Sequence, residues 1–159
     1  MSYPPIILPP EGHPAWKRAD EMTDAFQAQG EPDPLTVAGV ANSYAEASWL
    51  ALVAGDHNQS FGPFQEKWTY YGQPILDALG IDIRKDNSIA DQVRAVLWVL
   101  KTKLPKVYVA LRAAQTGAQA TRIWAADFER ASAAGAVERR VAIAGPIEVH
   151  IAKRGKAAN

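Results

Sequence analysis

The sequence predicts a mainly α-helical single domain, and three observations carry that expectation. Apolar residues recur at helical spacing through most of the 159 residues, the prolines and glycines fall between those runs, and no stretch of β-branched residues is long enough for a sizeable sheet. The chain length fits one compact core. With 48% apolar and 21% charged residues the chain has the composition of a folded protein and not of a disordered one.

Taken in order, residues 1–14 hold five of the eleven prolines around Ile6, Ile7 and Leu8, which favours an extended, polyproline-like arm. Such an arm loses little entropy on binding, so it is a candidate docking element. A first helix follows, with Trp16, Ala19, Met22, Thr23 and Phe26 on one face and Gly30 as its stop. Asp33-Pro34 reads as an N-cap followed by a first-turn proline and opens a second helix that runs toward Glu46. Residues 54–64 are dense in turn formers and suit a loop or small hairpin.

Pro74 to Leu79, with Gly80 behind it, predicts a short helix. Ser88 and Asp91 resemble a capping box, and Ile89, Val93, Val96, Leu97, Leu100 and Leu104 then form one apolar stripe. That helix is expected at the centre of the core. Pro105 starts another helix to about Gln115, Gly117 is expected to break the chain, and Ile123, Trp124, Asp127, Phe128 and Ala131 define the next. Residues 136–153 are helical by composition, with a kink or break expected at Gly145-Pro146. The expected organisation is an arm over 1–14, a helical domain over 15–153 and a basic tail over 154–159.

Seventeen basic residues balance seventeen acidic ones, so no overall basic field draws the chain to nucleic acid. Charge is nevertheless uneven. Residues 1–34 carry two basic and six acidic side chains, whereas residues 137–159 carry five basic and two acidic. Helix-end charges and a solvated tail account for this, and so would steering of the tail toward an anionic surface. The absence of cysteine removes disulfides, thiolate metal sites and thiol nucleophiles, and His13, His57 and His150 lack ligand spacing, so neither a metal nor a cofactor is expected. No segment has the roughly 20 apolar residues of a membrane span, and the first residues lack the basic and apolar regions of a secretory signal.

Half of the aromatic residues fall within 44–71, beside a loop rich in Ser, Asn and Gln and a helix end carrying Glu46. Rings that stack on pyranose faces, with amides and hydroxyls for sugar hydroxyls and acetamides, make this the composition of a sugar-binding cleft. Phe61 and Tyr70 are candidate stacking residues. Asp56-His57 could suggest acid/base chemistry, but no serine elbow accompanies it.

Val40 to Trp49, followed by Ser60-Phe61-Gly62-Pro63-Phe64-Gln65, resembles the phage-type lysozyme and lytic transglycosylase superfamily. Its members carry an Asn-x-x-x-Glu-Ser-Gly-Phe-like helix end and a Gly-Leu-Met-Gln-like turn about 20 residues later. Ala125 to Arg130, then Arg139-Arg140 and Ala142, are similar to a closing segment of some virion-associated phage members. The resemblance implies a lysozyme-like fold and cleavage of the β-1,4 bond between N-acetylmuramic acid and N-acetylglucosamine in peptidoglycan. It implies that Glu46 is the general acid, against an apolar wall for which Trp49 and Leu50 are available, and that Gln65 and Ser60 line the cleft.

Position 47 is Ala where the family has Ser, and position 63 is Pro where Leu or Ile is common. The first departure opens an alternative, an inactive lysozyme-like module of a virion tail. Asp56 is the candidate second carboxylate, with a turn-forming aspartate as the competing reading. Lytic transglycosylases work with one carboxyl, using the muramic acid 6-hydroxyl as nucleophile, and that tilts the expectation toward the anhydro product. Delivery in a phage or phage-like particle, with the arm against a tail or baseplate protein, would account for the missing signal. Glu129-Arg130 and Arg139-Arg140 are expected to form structural ion pairs between the last helices.

Overall fold

The structure is a computed structural model that describes residues 4–157. Helix accounts for 63% of it, in seven α-helices with one small three-stranded sheet among the described residues. The helices are α1 (Trp16–Ala28), α2 (Asp33–Ala47), α3 (Gln73–Leu79), α4 (Ile89–Lys103), α5 (Pro105–Ala113), α6 (Gly117–Ile123) and α7 (Ala136–Ala157). Strands β1 (Ala54–Gly55), β2 (Ser60–Phe61) and β3 (Glu66–Lys67) pair antiparallel in the order β1-β2-β3, with Gly55 opposite Ser60 and Phe61 opposite Glu66. Among the described residues no helix is long and apolar enough to cross a membrane.

The centre of the core is α2, not the long helix α4. Every residue from Leu35 to Ser43 is buried, and α1, α5, α6 and α7 all pack against this helix. Its residues explain why. Ala38, Gly39, Ala41 and Ser43 are small, so neighbours approach from all sides, and a helix without a polar face belongs inside. A Cβ at Gly39 would stand 2.4 Å from Cζ of Phe26, so α1 crosses α2 where only glycine fits. The Phe26 ring then meets Phe64 and Trp124 edge-on, at 6.0 and 6.2 Å between centroids. Helix α4 buries one stripe against α1 and keeps Arg94, Lys101 and Lys103 outside.

Punctuation along the chain is mostly as the residues dictate. Ser88 caps α4 by accepting a hydrogen bond from the Asp91 amide at 3.1 Å, and Gly80 ends α3 in the left-handed conformation. Three expectations are corrected. The cap position of α2 is Pro32, with Asp33 inside the first turn and making no side-chain cap bond. Gly117 opens α6 instead of breaking the chain, because Thr116 caps it by accepting from the Gln119 amide at 3.1 Å. Gly145-Pro146 does not break α7, which runs as one helix across both residues and onward through 154–157.

The acidic front and the basic end of the chain neutralise each other. Arg154 pairs with Asp20 at 3.2 Å and Asp24 at 2.8 Å, Lys153 reaches Glu11, and His150 bonds Asp20 at 2.7 Å while stacking on Trp16. Residues 4–10 have no regular secondary structure and run against the body. The Trp16 indole donates to the carbonyls of Pro9 and Pro10, Tyr44 donates its hydroxyl to the Ile7 carbonyl at 2.7 Å, and Arg139 donates to the Pro4 carbonyl. Ile6 and Leu8 pack against the core and Ile7 faces outward.

Candidate active site

Beside the C-terminal end of α2, residues of β2, β3 and their flanking turns wall a groove of about 860 Å³. The sheet owes its tight shape to backbone conformations that side chains seldom take. Asp56, His57 and Asn58 all have positive φ in the β1–β2 turn, and Gln65 has φ of 48° just before β3. Asn and Asp tolerate this region best among residues with side chains, which is why a turn-forming sequence stands here.

Glu46 sits one residue before the end of α2 and lines the groove. Its Oε1 accepts from Nη2 of Arg140 at 2.6 Å, and Nη1 of the same guanidinium donates to Oδ1 of Asn42 at 3.2 Å. Asn42 and Glu46 are one helical turn apart, so a single arginine from α7 grips both. Asn42 is wholly buried and donates to the Ala38 carbonyl at 2.9 Å. Trp49 and Leu50 do not supply the expected apolar wall; Phe64, Tyr71, Leu104 and Phe128 are the apolar groups that line the groove. Trp49 is buried in the core, its indole donating to the Val40 carbonyl at 2.9 Å, and Leu50 faces outward. Ser48 and Trp49, with φ of 52° and 64°, turn the chain away directly after the helix.

Of the other candidates, Asp56, Ser60, Gln65 and Tyr70 line the same groove. Asp56 is tied to Lys67 at 3.2 Å, both half exposed. Gln65 spends its amide group on the carbonyls of Val53 at 3.1 Å and Gly62 at 2.8 Å, bracing the turn. A Cβ at Gly55 would come within 2.2 Å of the Gln65 Oε1, so this brace requires glycine opposite it. Ser60 is buried in β2 and Tyr70 is largely exposed. Phe61 is not among the lining residues; its ring packs edge-on against Trp68, 6.3 Å away, and serves the hairpin instead of the groove.

Two groove residues escaped the sequence reading as chemistry, Glu66 and Glu129. Glu66 is 1% exposed, and neither of its carboxyl oxygens has a hydrogen-bond partner. Burial pushes its pKa up to about 8. Strand alternation carries the signal for it, since Glu66 turns inward where Lys67 turns out. Glu129 follows a wide π-type turn over residues 124–128, in which its amide bonds the Trp124 carbonyl five residues back. That turn brings its Oε1 to the Trp124 indole N–H at 3.1 Å. Burial raises its pKa well above the usual carboxylate range, and the charges of Glu46 and Glu66 raise it further, against the opposing pull of Trp124 and Arg140.

The ion pairs expected of the last helices are therefore rearranged. Arg140 pairs with Glu46, and Glu129 takes the indole as its partner. Arg130 has positive φ and joins Lys67 and Lys103 in the lining, so the groove combines acidic and basic groups. Among the described residues no group of three or more His, Asp or Glu is disposed to hold a metal ion. No family model, curated protein or solved structure matches the chain.

Proposed function

We propose that this protein is a peptidoglycan-degrading enzyme of lysozyme-like fold that cleaves the β-1,4 bond between N-acetylmuramic acid and N-acetylglucosamine. The observation that carries the reading is the convergence in one groove of residues from the three segments of the resemblance. Glu46 comes from the helix end, Ser60 and Gln65 from the turn, and Glu129 and Arg130 from the closing segment. A groove with an exposed Tyr70 and a mix of amide, carboxyl and cationic groups suits a glycan strand bearing acetamides and carboxylates. Asp56 is engaged by Lys67. That favours the anhydro-forming lytic transglycosylase over the hydrolase, because it leaves the muramic acid 6-hydroxyl as the nucleophile. Delivery in a phage or phage-like particle, with the outward Ile7 of the Pro-rich segment against a tail or baseplate protein, completes the proposal.

A second reading has its own support. Ala47 lacks the family's hydroxyl and Arg140 holds Glu46 at 2.6 Å, which suits a wall-binding module without turnover. Mass spectrometry of purified peptidoglycan digested with wild type and Glu46→Gln separates the two. The enzyme releases muropeptides one water lighter than hydrated ones, and the variant loses roughly 10²–10⁴-fold in rate. Equal release by both proteins at matched folding, or release by neither, removes the assignment of Glu46.

A further inference from the structure

We propose that Glu129 is the second catalytic carboxyl of this groove and its proton donor, with Glu46 as the partner carboxylate. The inference rests on the glycosidase reading above and exchanges the role that resemblance gives Glu46. A general acid must hold its proton near neutral pH and present it to the groove, whereas its partner must be ionised.

The surroundings of the two carboxyls divide these roles. Glu46 has a guanidinium at 2.6 Å, the arrangement that suits a carboxylate. Among the described residues Glu129 has no cation bonded to it; its side-chain partner there is the neutral Trp124 indole, which uses Oε1 and leaves Oε2 available to carry the proton. Glu129 is half-buried as a residue and lines the groove, which places it where a substrate would lie. Behind it Glu66 is fully buried and without a partner. Arg140 from α7 and Tyr71 also act in its field, and Arg130 lines the same groove. Burial and the charge of Glu46 favour the neutral acid at 129, in keeping with the upward direction of its titration.

The chemistry balances with these groups alone. The Glu129 O–H gives its proton to the glycosidic oxygen as the bond from that oxygen to C1 breaks and the electron pair goes to the oxygen. A hydroxyl, the sugar's own 6-OH or a water, forms the new bond to C1 and gives up its proton to the Glu46 carboxylate. Transfer of that proton between the two carboxyls restores the starting state.

The test uses the full chain and two readouts. Glu129→Gln keeps an acceptor for the indole and a near-identical shape, so the fold is expected to survive. Muropeptide release should fall roughly 10²–10⁴-fold. By infrared titration, a carboxylic-acid band present at neutral pH in wild type should vanish in Glu129→Gln, and Glu66→Gln assigns the band that remains. In Glu46→Gln the Glu129 band should titrate at lower pH, because a neighbouring negative charge is gone. An active wild type with an equally active Glu129→Gln, or an unchanged set of bands, overturns this proposal and leaves the glycosidase reading intact. A wild type that releases no muropeptide overturns both.

Discussion

Two buried carboxyl sites in this molecule are built on opposite terms. Glu31, at the turn between α1 and α2, has a side chain 1% exposed and is saturated with partners. Tyr108 donates to it at 2.7 Å, Arg112 pairs with it at 3.0 Å, and Lys101 lies at 3.8 Å. Glu66 is as deeply buried and has none. The first arrangement ties α4 and α5 to the loop before α2, and a charge taken out of water is stabilised only when so surrounded. The second has no such surroundings among the described residues, and burial alone drives its titration upward.

The sharpest way to test that contrast is the pH dependence of stability. A carboxyl whose pKa is raised in the folded state holds a proton that the unfolded chain releases, so its contribution to stability is lost as pH rises. The window runs from the ordinary carboxyl value of 4.5 to the folded value of about 8. Glu66→Gln should leave stability unchanged at the acid end of this window and raise it above pH 8. The difference is on the order of 5 kcal/mol at most, from about 1.4 kcal/mol per pKa unit. Denaturant melts of both proteins at several pH values would measure it, and parallel curves would show that Glu66 is not the group responsible.

Breaking the other member of the pair should act at every pH near neutrality. Glu31→Ala is expected to cost about 2–3 kcal/mol, less than the full loss of a buried ion pair because Lys101 and Arg112 are half exposed and regain water. Equilibrium unfolding reads this directly, and no loss would mean that the network is ornamental. A smaller effect calibrates both. Ser88→Ala removes the cap of α4 far from either carboxyl and should cost about 1 kcal/mol without altering the pH profile.

Much of the helical pattern was legible because Pro, Gly and Ser mark where backbone hydrogen bonding must stop or start. The errors share a cause. Gly117 and Pro146 are breakers in isolation, yet α6 and α7 pack on α2 and on each other, and such packing overrides local preference. The place of α2 was missed because small residues give no apolar stripe, although absence of a polar face is itself a sign of burial. In the site, Glu46, Ser60, Gln65 and Tyr70 were legible as groove residues from motif and composition. The direction of Glu129 was not, since it depends on the π-type turn over 124–128, and the unpartnered state of Glu66 depends on tertiary surroundings that strand alternation does not encode. Arg140 as the grip on Asn42 and Glu46 needed the crossing of α7 over α2, which no local pattern encodes.

Residues 4–10 meet the body at Tyr44, two positions before Glu46, and at Arg139, one before Arg140. The segment thus works as a tie-rod across the two helices whose side chains form the central ion pair of the groove. A proteolytic nick within it would release contacts to both helices without touching a groove residue, and a tag or fusion joined at this end would load the same two contacts.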